Sequence, residues 1–190
     1  ESLYRSGLGD ILPARPTARV IDGGFRPQLT DMGHRHPVTE GLDSYRPAGA
    51  AEDADDGPAW GRWMRIVDLA DARGQVVMQD PEGRPLLILD RAGEGRVALL
   101  ASDQAWLWGR GFEGGGPQLE LLRRLAHWMM KEPELEEEAL SARAEGETLA
   151  ITRRTLSDGP KQVTVTAPDG TSATVDLTEA APGRFDGTVA

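Results

Sequence analysis

The feature that most constrains the fold of this chain is an uninterrupted apolar run from Val97 to Ala101. Such a run is typical of a strand covered on both faces, because a strand with one wet face alternates apolar and polar residues. Ser102 and Asp103 follow the run at once. In an open α/β sheet the residues just beyond the carboxyl end of a strand line the ligand crevice. The sequence therefore places Asp103, Trp106 and Trp108 where a binding site is expected.

A helix is predicted directly after this loop. The glycines at 114–116 break the chain, and Pro117 suits a first helical turn. The apolar residues that recur at helical spacing are Leu121, Leu122, Leu125, Trp128 and Met129. Pro133 ends the pattern. We therefore expect an amphipathic helix whose Trp128 face packs on the sheet.

Three segments before this helix predict strands. They are Val76 to Gln79, Pro85 to Asp90 and Arg96 to Ala101, and short turns join them. Successive strands joined by short turns pair antiparallel, so the sheet of an α/β domain would be mixed on this side. Upstream, Trp60 and Trp63 begin an apolar pattern that is expected to fill the core beside these strands.

Two motifs resemble the class I glutamine amidotransferase-like domains of the trehalose-utilisation (ThuA-like) group, which occur in large membrane-anchored bacterial proteins. The first is the strand Gly95-Arg96-Val97 with its small-residue turn, aromatic loop and helix ending in Trp128. The second is His36-Pro37-Val38-Thr39-Glu40-Gly41-Leu42, which is similar to the family's HP-(I/V)-T-x-G-L segment. The resemblance covers about residues 1–132 and implies the C-terminal part of a flavodoxin-like domain with a mixed sheet.

The resemblance also bears on catalysis. True glutamine amidotransferases carry His-Pro-Glu, in which the histidine is the base of a Cys-His-Glu triad. Here Val38 stands in the place of that glutamate, and the chain has no cysteine. These departures favour a non-catalytic domain. An amidotransferase- or hydrolase-type enzyme stays open as the alternative, with His36 or Asp103 in its site and its nucleophile outside this fragment.

Two histidines, His34 and His36, lie two residues apart in a polar loop. With strand-like geometry and a third donor, such a pair could ligate a metal ion. The alternative is a polar turn ahead of a strand. The remaining imidazole, His127, lies on the predicted helix far along the chain. We therefore predict neither a tight zinc site nor a cofactor.

An acidic stretch rich in alanine, glycine and proline runs through residues 47–59. It lacks periodicity, which predicts a surface loop. Its carboxylates belong to Glu52, Asp53, Asp55 and Asp56. A calcium loop is the other interpretation, but the spacing lacks the alternating oxygen ligands and the closing glutamate of an EF-hand.

The pattern changes after Pro133. Glutamates at 134 and 136–138 predict an acidic hinge, and beyond it five segments alternate at period two. These segments are Leu140–Ala144, Thr148–Arg154, Gln162–Ala167, Thr171–Leu177 and Arg184–Val189. We therefore predict an α/β domain over residues 1–132 and an all-β immunoglobulin- or fibronectin-like sandwich over residues 133–190. About five strands against the usual seven indicate that the sandwich is truncated.

Composition narrows the function further. The chain has 39% hydrophobic residues and a formal net charge of -10. This balance favours a globular chain and argues against binding to nucleic acid or to an anionic membrane, because both need clustered cations. No stretch resembles a signal peptide or a long apolar span. A start without methionine and a strand-like end suggest an excised fragment. The resemblance then implies a soluble, periplasmic domain whose parent protein is anchored through segments outside this chain.

The aromatic loop supplies the candidate binding surface. Trp106 and Trp108 could form an aromatic recognition surface, and at least one of the rings is expected in the core. Asp103 has an alternative role as a cap for backbone N–H groups of the loop. The sequence thus favours a non-catalytic binding or scaffolding module with a protein or carbohydrate partner. The candidate binding residues are Asp103, Trp106, Trp108, His34 and His36.

Overall fold

A computed structural model describes residues 4–46, 60–159 and 161–189 of the chain. Its strands are β1 Arg15–Phe25, β2 Gln28–Leu29, β3 Trp63–Ala70, β4 Gln75–Gln79, β5 Pro85–Ala92, β6 Gly95–Leu100, β7 Ala139–Glu145, β8 Thr148–Arg154, β9 Gln162–Thr166, β10 Ser172–Asp176, β11 Thr178–Ala181 and β12 Arg184–Val189. Its α-helices are α1 Asp31–Arg35, α2 Trp106–Gly109 and α3 Gln118–Met129, and shorter 3₁₀ helices span Leu42–Ser44, Phe112–Gly114 and Pro133–Leu135. The acidic stretch at 47–59, and the calcium interpretation with it, lies outside the described residues.

The predicted α/β flavodoxin-like fold with a mixed sheet, followed by an immunoglobulin-like sandwich, is wrong. The chain is mostly β, with 43% strand and 17% helix, in several antiparallel sheets. A flavodoxin-like domain needs parallel strands with helical crossovers. Here β4, β5 and β6 follow one another through short turns, and each pairs antiparallel with its neighbour. The turns decide the topology, because a connection of a few residues cannot carry the chain back to start a parallel strand.

The first core is built on a four-stranded sheet with the order β2-β4-β5-β6. Strand β5 lies inside this sheet, and its residues Leu86, Leu87, Ile88 and Leu89 have no exposed surface. Strand β6 lies at one edge of the sheet, and its residues 96–100 are only half-buried. The expectation that the run from Val97 is covered on both faces is therefore wrong for β6, and it describes β5 instead.

Strands β1 and β3 form a separate antiparallel pair beside this sheet. The side chains of Trp63 and Ile66 on β3 are buried in the same core as β5. Two bonds attach β3 to the segment that leaves β6. Val67 N–H donates to the carbonyl of Ala101 across 2.7 Å, and the hydroxyl of Ser102 donates to the carbonyl of Arg65 across 2.8 Å. The aromatic loop therefore begins against β3.

Helix α3 covers the sheet with Leu121, Leu125 and Trp128, all of which are buried. The prediction that the Trp128 face packs into the core is confirmed. The same apolar pattern also included Leu122 and Met129, and both are exposed. None of the helices formed by the described residues has the length and apolar character needed to cross a membrane.

Helix α1 forms where the sequence predicted a loop. Thr30 caps it, because its hydroxyl oxygen accepts from Gly33 N–H at 2.9 Å and its hydroxyl donates to the carbonyl of Val76 at 2.6 Å. Gly33 lies so close to β4 that a β-carbon there would meet the carbonyl oxygen of Val77 at 2.0 Å. Helix α1 thus rests directly on the sheet and leads the chain to His36.

The last six strands form a four-stranded sheet, β11-β12-β8-β7, and a hairpin of β9 and β10. Their own core consists of Ile151, Val175, Leu177 and Phe185. Two ion pairs join this part to the segment around α1. Arg154 of β8 pairs with Glu40, and Arg35 lies 3.3 Å from Asp158.

Candidate functional site

The two tryptophans of the aromatic loop face opposite ways. Trp108 is buried, donates from its indole N–H to the carbonyl of Gly61 across 2.7 Å, and packs at a ring distance of 4.8 Å from Trp63. Trp106 is 54% exposed. Both lie on the single turn of α2, where two positions differ by about 200° around the axis. Helical geometry therefore sends one ring into the core and the other towards solvent.

Glycine is required behind Trp108. A β-carbon at Gly116 would meet the indole ring at 2.3 Å, and one at Gly61 would meet the carbonyl oxygen of Phe112 at 2.1 Å. Gly61 and Gly116 therefore have a packing role as well as a role in turning the chain. They let the backbone close over the buried ring while Trp106 stays outside.

Asp103 is exposed and held by Arg65. Its Oδ1 accepts from Nε at 3.0 Å, and its Oδ2 lies 2.5 Å from Nη2. The hydrogen bond from Arg65 lowers the pKa of Asp103 below its ordinary value. The main hydrogen-bond partner of Asp103 is therefore the side chain of Arg65. The alternative role of Asp103, as a cap for backbone N–H groups of the loop, is secondary to this bond.

Glu113, on the same loop, forms a second guanidinium–carboxylate pair with Arg62. Glu113 accepts from Arg62 through both of its oxygens, and hydrogen bonds from Arg62 lower the pKa of Glu113 to about 2. The backbone N–H of Met64 also donates to the side chain of Gln104 at 2.5 Å. Trp106 thus lies on a loop that polar contacts hold to β3 and to Arg62, which directly precedes β3. These contacts occur both before and after Trp106 in the sequence.

The two histidines do not converge. His34 is partly exposed on α1, with its Nδ1 3.5 Å from Asp43 Oδ2. His36 follows the end of α1 and has no exposed surface. Within residues 4–46, 60–159 and 161–189 there is no group of three or more His, Cys, Asp or Glu side chains that could hold a metal ion. The His34–His36 metal interpretation gains no third ligand from the fold.

Both ring nitrogens of His36 face the interior. Its Nδ1 accepts from Val38 N–H at 3.2 Å, which places the proton of the neutral ring on Nε2. That Nε2 lies 3.5 Å from Oε1 of Glu137, and the ring meets Trp128 edge-on at a centroid distance of 5.8 Å. Burial lowers the pKa of His36, and the nearby Glu137 carboxylate only partly opposes this effect.

Val38 stands where the His-Pro-Glu motif has its glutamate, and in this fold a different residue, Glu137, places a carboxylate beside His36. Its Oε1 accepts from Trp128 Nε1 at 3.0 Å, and its Oε2 pairs with Arg91. Burial on its own raises the pKa of Glu137, but the adjacent His36 ring and hydrogen bonds from Arg91 and Trp128 outweigh burial and hold the pKa well below its ordinary value. A His–Glu contact therefore exists in this fold, although its members are far apart in the sequence.

Glu137 is the middle member of a run that we call the glutamate triplet, Glu136–Glu138. Glu136 lies 2.5 Å from Arg96 Nη2, and Glu138 accepts from the hydroxyl of Thr155 at 2.7 Å and from Leu156 N–H at 3.0 Å. The sequence predicted an acidic hinge here. Instead, all three carboxylates are engaged: Glu136 and Glu137 by arginines of β5 and β6, and Glu138 by the segment that follows β8.

One signal in the sequence pointed to these contacts. Arg91 and Arg96 lie on strands predicted to form a hairpin, and in the structure they are direct cross-strand partners. Like charges at such positions are destabilising unless a countercharge lies nearby. The glutamate triplet provides it. A cleft of about 600 Å³ opens beside the triplet, lined also by Gln75, Arg91, Leu156 and Ser157.

Comparisons with known proteins give no family. No protein-family model matches the sequence, and a search of curated protein sequences gave no match. The chain is similar to cytoplasmic protein STM3548 from Salmonella typhimurium, with a TM-score of 0.48 and 17% identity over 67% of this chain and 47% of that one. It is also similar to β-galactosidase from Bacillus circulans sp. alkalophilus, with a TM-score of 0.37 and 11% identity over 98% of this chain and 26% of that one. The chain thus spans less than half of either protein, and neither similarity bears on its function.

Proposed function

We propose that this chain is a non-catalytic protein-binding or scaffolding module, and that it belongs to the soluble, periplasmic part of a bacterial membrane-anchored protein. The observation that carries the proposal is a contrast between two side chains. The imidazole of His36 has no exposed surface, whereas Trp106 is 54% exposed.

The burial of His36 supports the non-catalytic half of the proposal. A general base must come within hydrogen-bonding reach of the proton that it removes, about 3 Å or one water molecule away. The ring nitrogens of His36 face Val38 and Glu137 instead. The sequence also offers no thiol that this histidine could activate.

The exposure of Trp106 supports the binding half. Tryptophan is enriched among the few residues that carry most of the free energy of binding at protein interfaces. Such residues are most effective on a backbone that is already ordered, because little conformational entropy is then lost on binding. Asp103, Gln104 and Glu113 bind β3 and the preceding Arg62. These contacts hold the loop in an ordered conformation before any partner binds.

The same contacts favour a protein over a carbohydrate as the partner. Sugar hydroxyls are bound by side chains with free acceptors and donors beside an aromatic ring. The carboxylates of Asp103 and Glu113 are already engaged by Arg65 and Arg62. The rim of a protein interface is polar and solvent-accessible, and exposed ion pairs on the same loop as an indole suit such a rim. The cellular setting rests on the resemblance to domains of membrane-anchored bacterial proteins.

Site-specific photo-crosslinking in the parent protein tests the binding surface. We would place p-benzoylphenylalanine at Trp106 in the bacterium that carries the gene, and at Leu140 on β7 as a control that is at least as exposed. We expect one protein adduct from position 106 and none from position 140. The same adducts from both positions, or no protein adduct from position 106, would contradict the proposed surface.

The enzyme alternative is tested separately with glutamine. The full-length parent protein is expected to release no ammonia above a heat-treated control. Ammonia release that disappears in His36→Asn, while circular dichroism shows that the variant is folded, would overturn the non-catalytic proposal. Asparagine is chosen because its carbonyl oxygen can accept from Val38 N–H, as Nδ1 of His36 does.

A further inference from the structure

The loop that carries Trp106 holds one charge without a counterpart. Between Ser102 and Pro117 the charged residues are Asp103, Arg110 and Glu113. The two carboxylates are engaged by arginines of β3 and of the residue before it. Arg110 is exposed, and its side chain makes no hydrogen bond or ion pair with any residue that the structure describes. Its guanidinium is therefore the group of this loop that is still available to a partner.

Arg110 lies one helical turn after Trp106. Its backbone N–H donates to the carbonyl of Trp106 across 3.0 Å, and its own backbone dihedral angles are helical. Four residues advance a helix by about 6 Å and by about 40° more than one full turn, so these two side chains leave the same face of α2. Both residues are exposed. An indole and an uncompensated guanidinium thus lie next to each other on the surface.

The backbone beneath this pair is held in place. Gly111 follows Arg110 with φ at 73°, a conformation that commonly ends a helix and that favours glycine. Its N–H donates to the carbonyl of Trp108 across 3.1 Å. The turn also packs closely against the start of α3, because a β-carbon at Gly109 would meet the side chain of Gln118 at 2.0 Å. A fixed backbone reduces the conformational entropy that Trp106 and Arg110 lose on binding.

We propose that the protein bound by this surface presents a carboxylate beside an apolar side chain, with the carboxylate on Arg110 and the apolar group on the ring of Trp106. This inference rests on the proposed binding function and specifies the chemistry of the partner. Arginine binds a carboxylate through two parallel N–H···O bonds. Tryptophan and arginine are also the residue types enriched among those that carry most of the free energy of binding.

The spacing of the pair limits the geometry of the partner. Its carboxylate and its apolar group must lie about 6 Å apart, the rise over four residues of a helix. Side chains on one face of a strand, two residues apart, have nearly the same separation, about 6.6 Å. The partner therefore carries an Asp or Glu either two residues from an apolar residue in an extended segment or four residues from it in a helix.

The charges around the pair favour a single carboxylate over a polyanion. Nucleic acid and anionic membranes need clustered cations. Two further charges act on the ion pairs of this loop, Arg26 on Glu113 and Asp22 on Arg65, and they are of opposite sign. The surface therefore offers the charge of one arginine, on a chain whose formal net charge is -10. This charge can match one carboxylate, whereas a polyanion would be repelled by the rest of the chain.

Charge reversal combined with photo-crosslinking from position 106 tests this chemistry. Arg110→Glu should reduce the yield of the protein adduct at least about tenfold, because it sets two negative charges against each other. Arg143→Glu is the matched control, since Arg143 is exposed on β7 and its side chain also has no polar partner among the described residues. Thermal denaturation should show that both variants are as stable as the wild type.

The partner supplies the second half of the test. Mass spectrometry of the adduct locates the crosslinked segment, and changing its Asp or Glu to lysine should restore the adduct with Arg110→Glu. An adduct that Arg110→Glu leaves intact, or that the lysine does not restore, would overturn this inference and leave the binding function of Trp106 in place. An adduct to nucleic acid or lipid would also overturn it. Absence of any adduct from position 106 would instead contradict the proposed function itself.

Discussion

The indole Nε1 of Trp128 donates a hydrogen bond to Oε1 of Glu137 across 3.0 Å, and this bond joins the end of α3 to the segment that enters the last six strands. Both side chains are buried. The Trp128 ring also meets His36 edge-on and carries the guanidinium of Arg96 at 5.0 Å from its centroid. One residue therefore belongs at the same time to the apolar core under α3 and to the polar cluster around Glu137.

Substitutions of Trp128 separate these two roles. Trp128→Ala should lower the free energy of unfolding by about 3–5 kcal/mol, because it leaves a large cavity. Trp128→Phe keeps a ring but removes the donor to Glu137, and we expect a loss of about 1.5–3 kcal/mol. Chemical denaturation measures both values. A Trp128→Phe variant as stable as the wild type would mean that the bond to Glu137 contributes nothing.

The buried imidazole predicts that acid destabilises the fold. Burial lowers the pKa of His36 in the folded chain below its ordinary value of 6.5. As pH falls through about 6.5 the unfolded chain binds a proton that the folded chain does not, so the free energy of unfolding decreases. Glu137 acts in the same direction at lower pH, because its folded pKa is also lowered. Its contribution is present above about 4.5 and is lost as pH falls through the folded pKa.

Denaturation between about pH 7.5 and 5.5 measures the contribution of His36, since this range lies above the titration of ordinary carboxylates. His36→Asn should flatten the pH dependence there, because asparagine does not titrate. His34→Asn is the matched control, since His34 lies partly exposed on α1 two residues away. If both variants keep the slope of the wild type, the pH dependence does not come from His36.

Gly33 should tolerate no side chain. Its backbone does not need the left-handed region, so the cost of Gly33→Ala comes from the β-carbon that would lie 2.0 Å from the carbonyl oxygen of Val77. We expect a loss of about 1–3 kcal/mol in the free energy of unfolding. Gly95→Ala is the control, because its β-carbon would come no closer than 3.3 Å to another atom. Equal stability of the two variants would show that α1 is not pressed against β4.

The two tryptophans of α2 should respond differently to truncation. Trp108→Ala removes a buried ring and its bond to Gly61, and we expect a loss of about 3–5 kcal/mol. Trp106→Ala removes a ring that is mostly in solvent, and stability should change by no more than about 0.5 kcal/mol. Thermal or chemical denaturation compares them. A large loss for Trp106→Ala would mean that this indole supports the fold and is not free to bind a partner.

The sequence predicted individual elements well where the apolar pattern was local. Strands β4, β5 and β6 and helix α3 lie within a few residues of their predicted bounds, because alternation and helical spacing arise from one element at a time. The short turns between β4, β5 and β6 also indicated antiparallel pairing correctly. The error lay in adding parallel strands around them, which no local pattern required.

The polar cluster around Glu137 could not be predicted in the same way. His36, Arg91 and Glu137 are separated by dozens of residues, and nothing in their local sequence shows that they meet. The buried state of His36 depends on α1, which is only five residues long and was interpreted as a loop. For Trp106 and Trp108 the sequence placed one ring in the core. It could not say which one, because that depends on where the single turn of α2 begins.

The glutamate triplet constrains the length of this chain as well as its composition. The backbone bends at Glu137 and Glu138, and the three successive carboxylates reach Arg96, Arg91 and Thr155. One residue added or removed inside the triplet would turn each carboxylate away from its partner, even if all three glutamates were kept. In related chains that share this arrangement, we therefore expect insertions and deletions to fall on either side of the triplet and not within it.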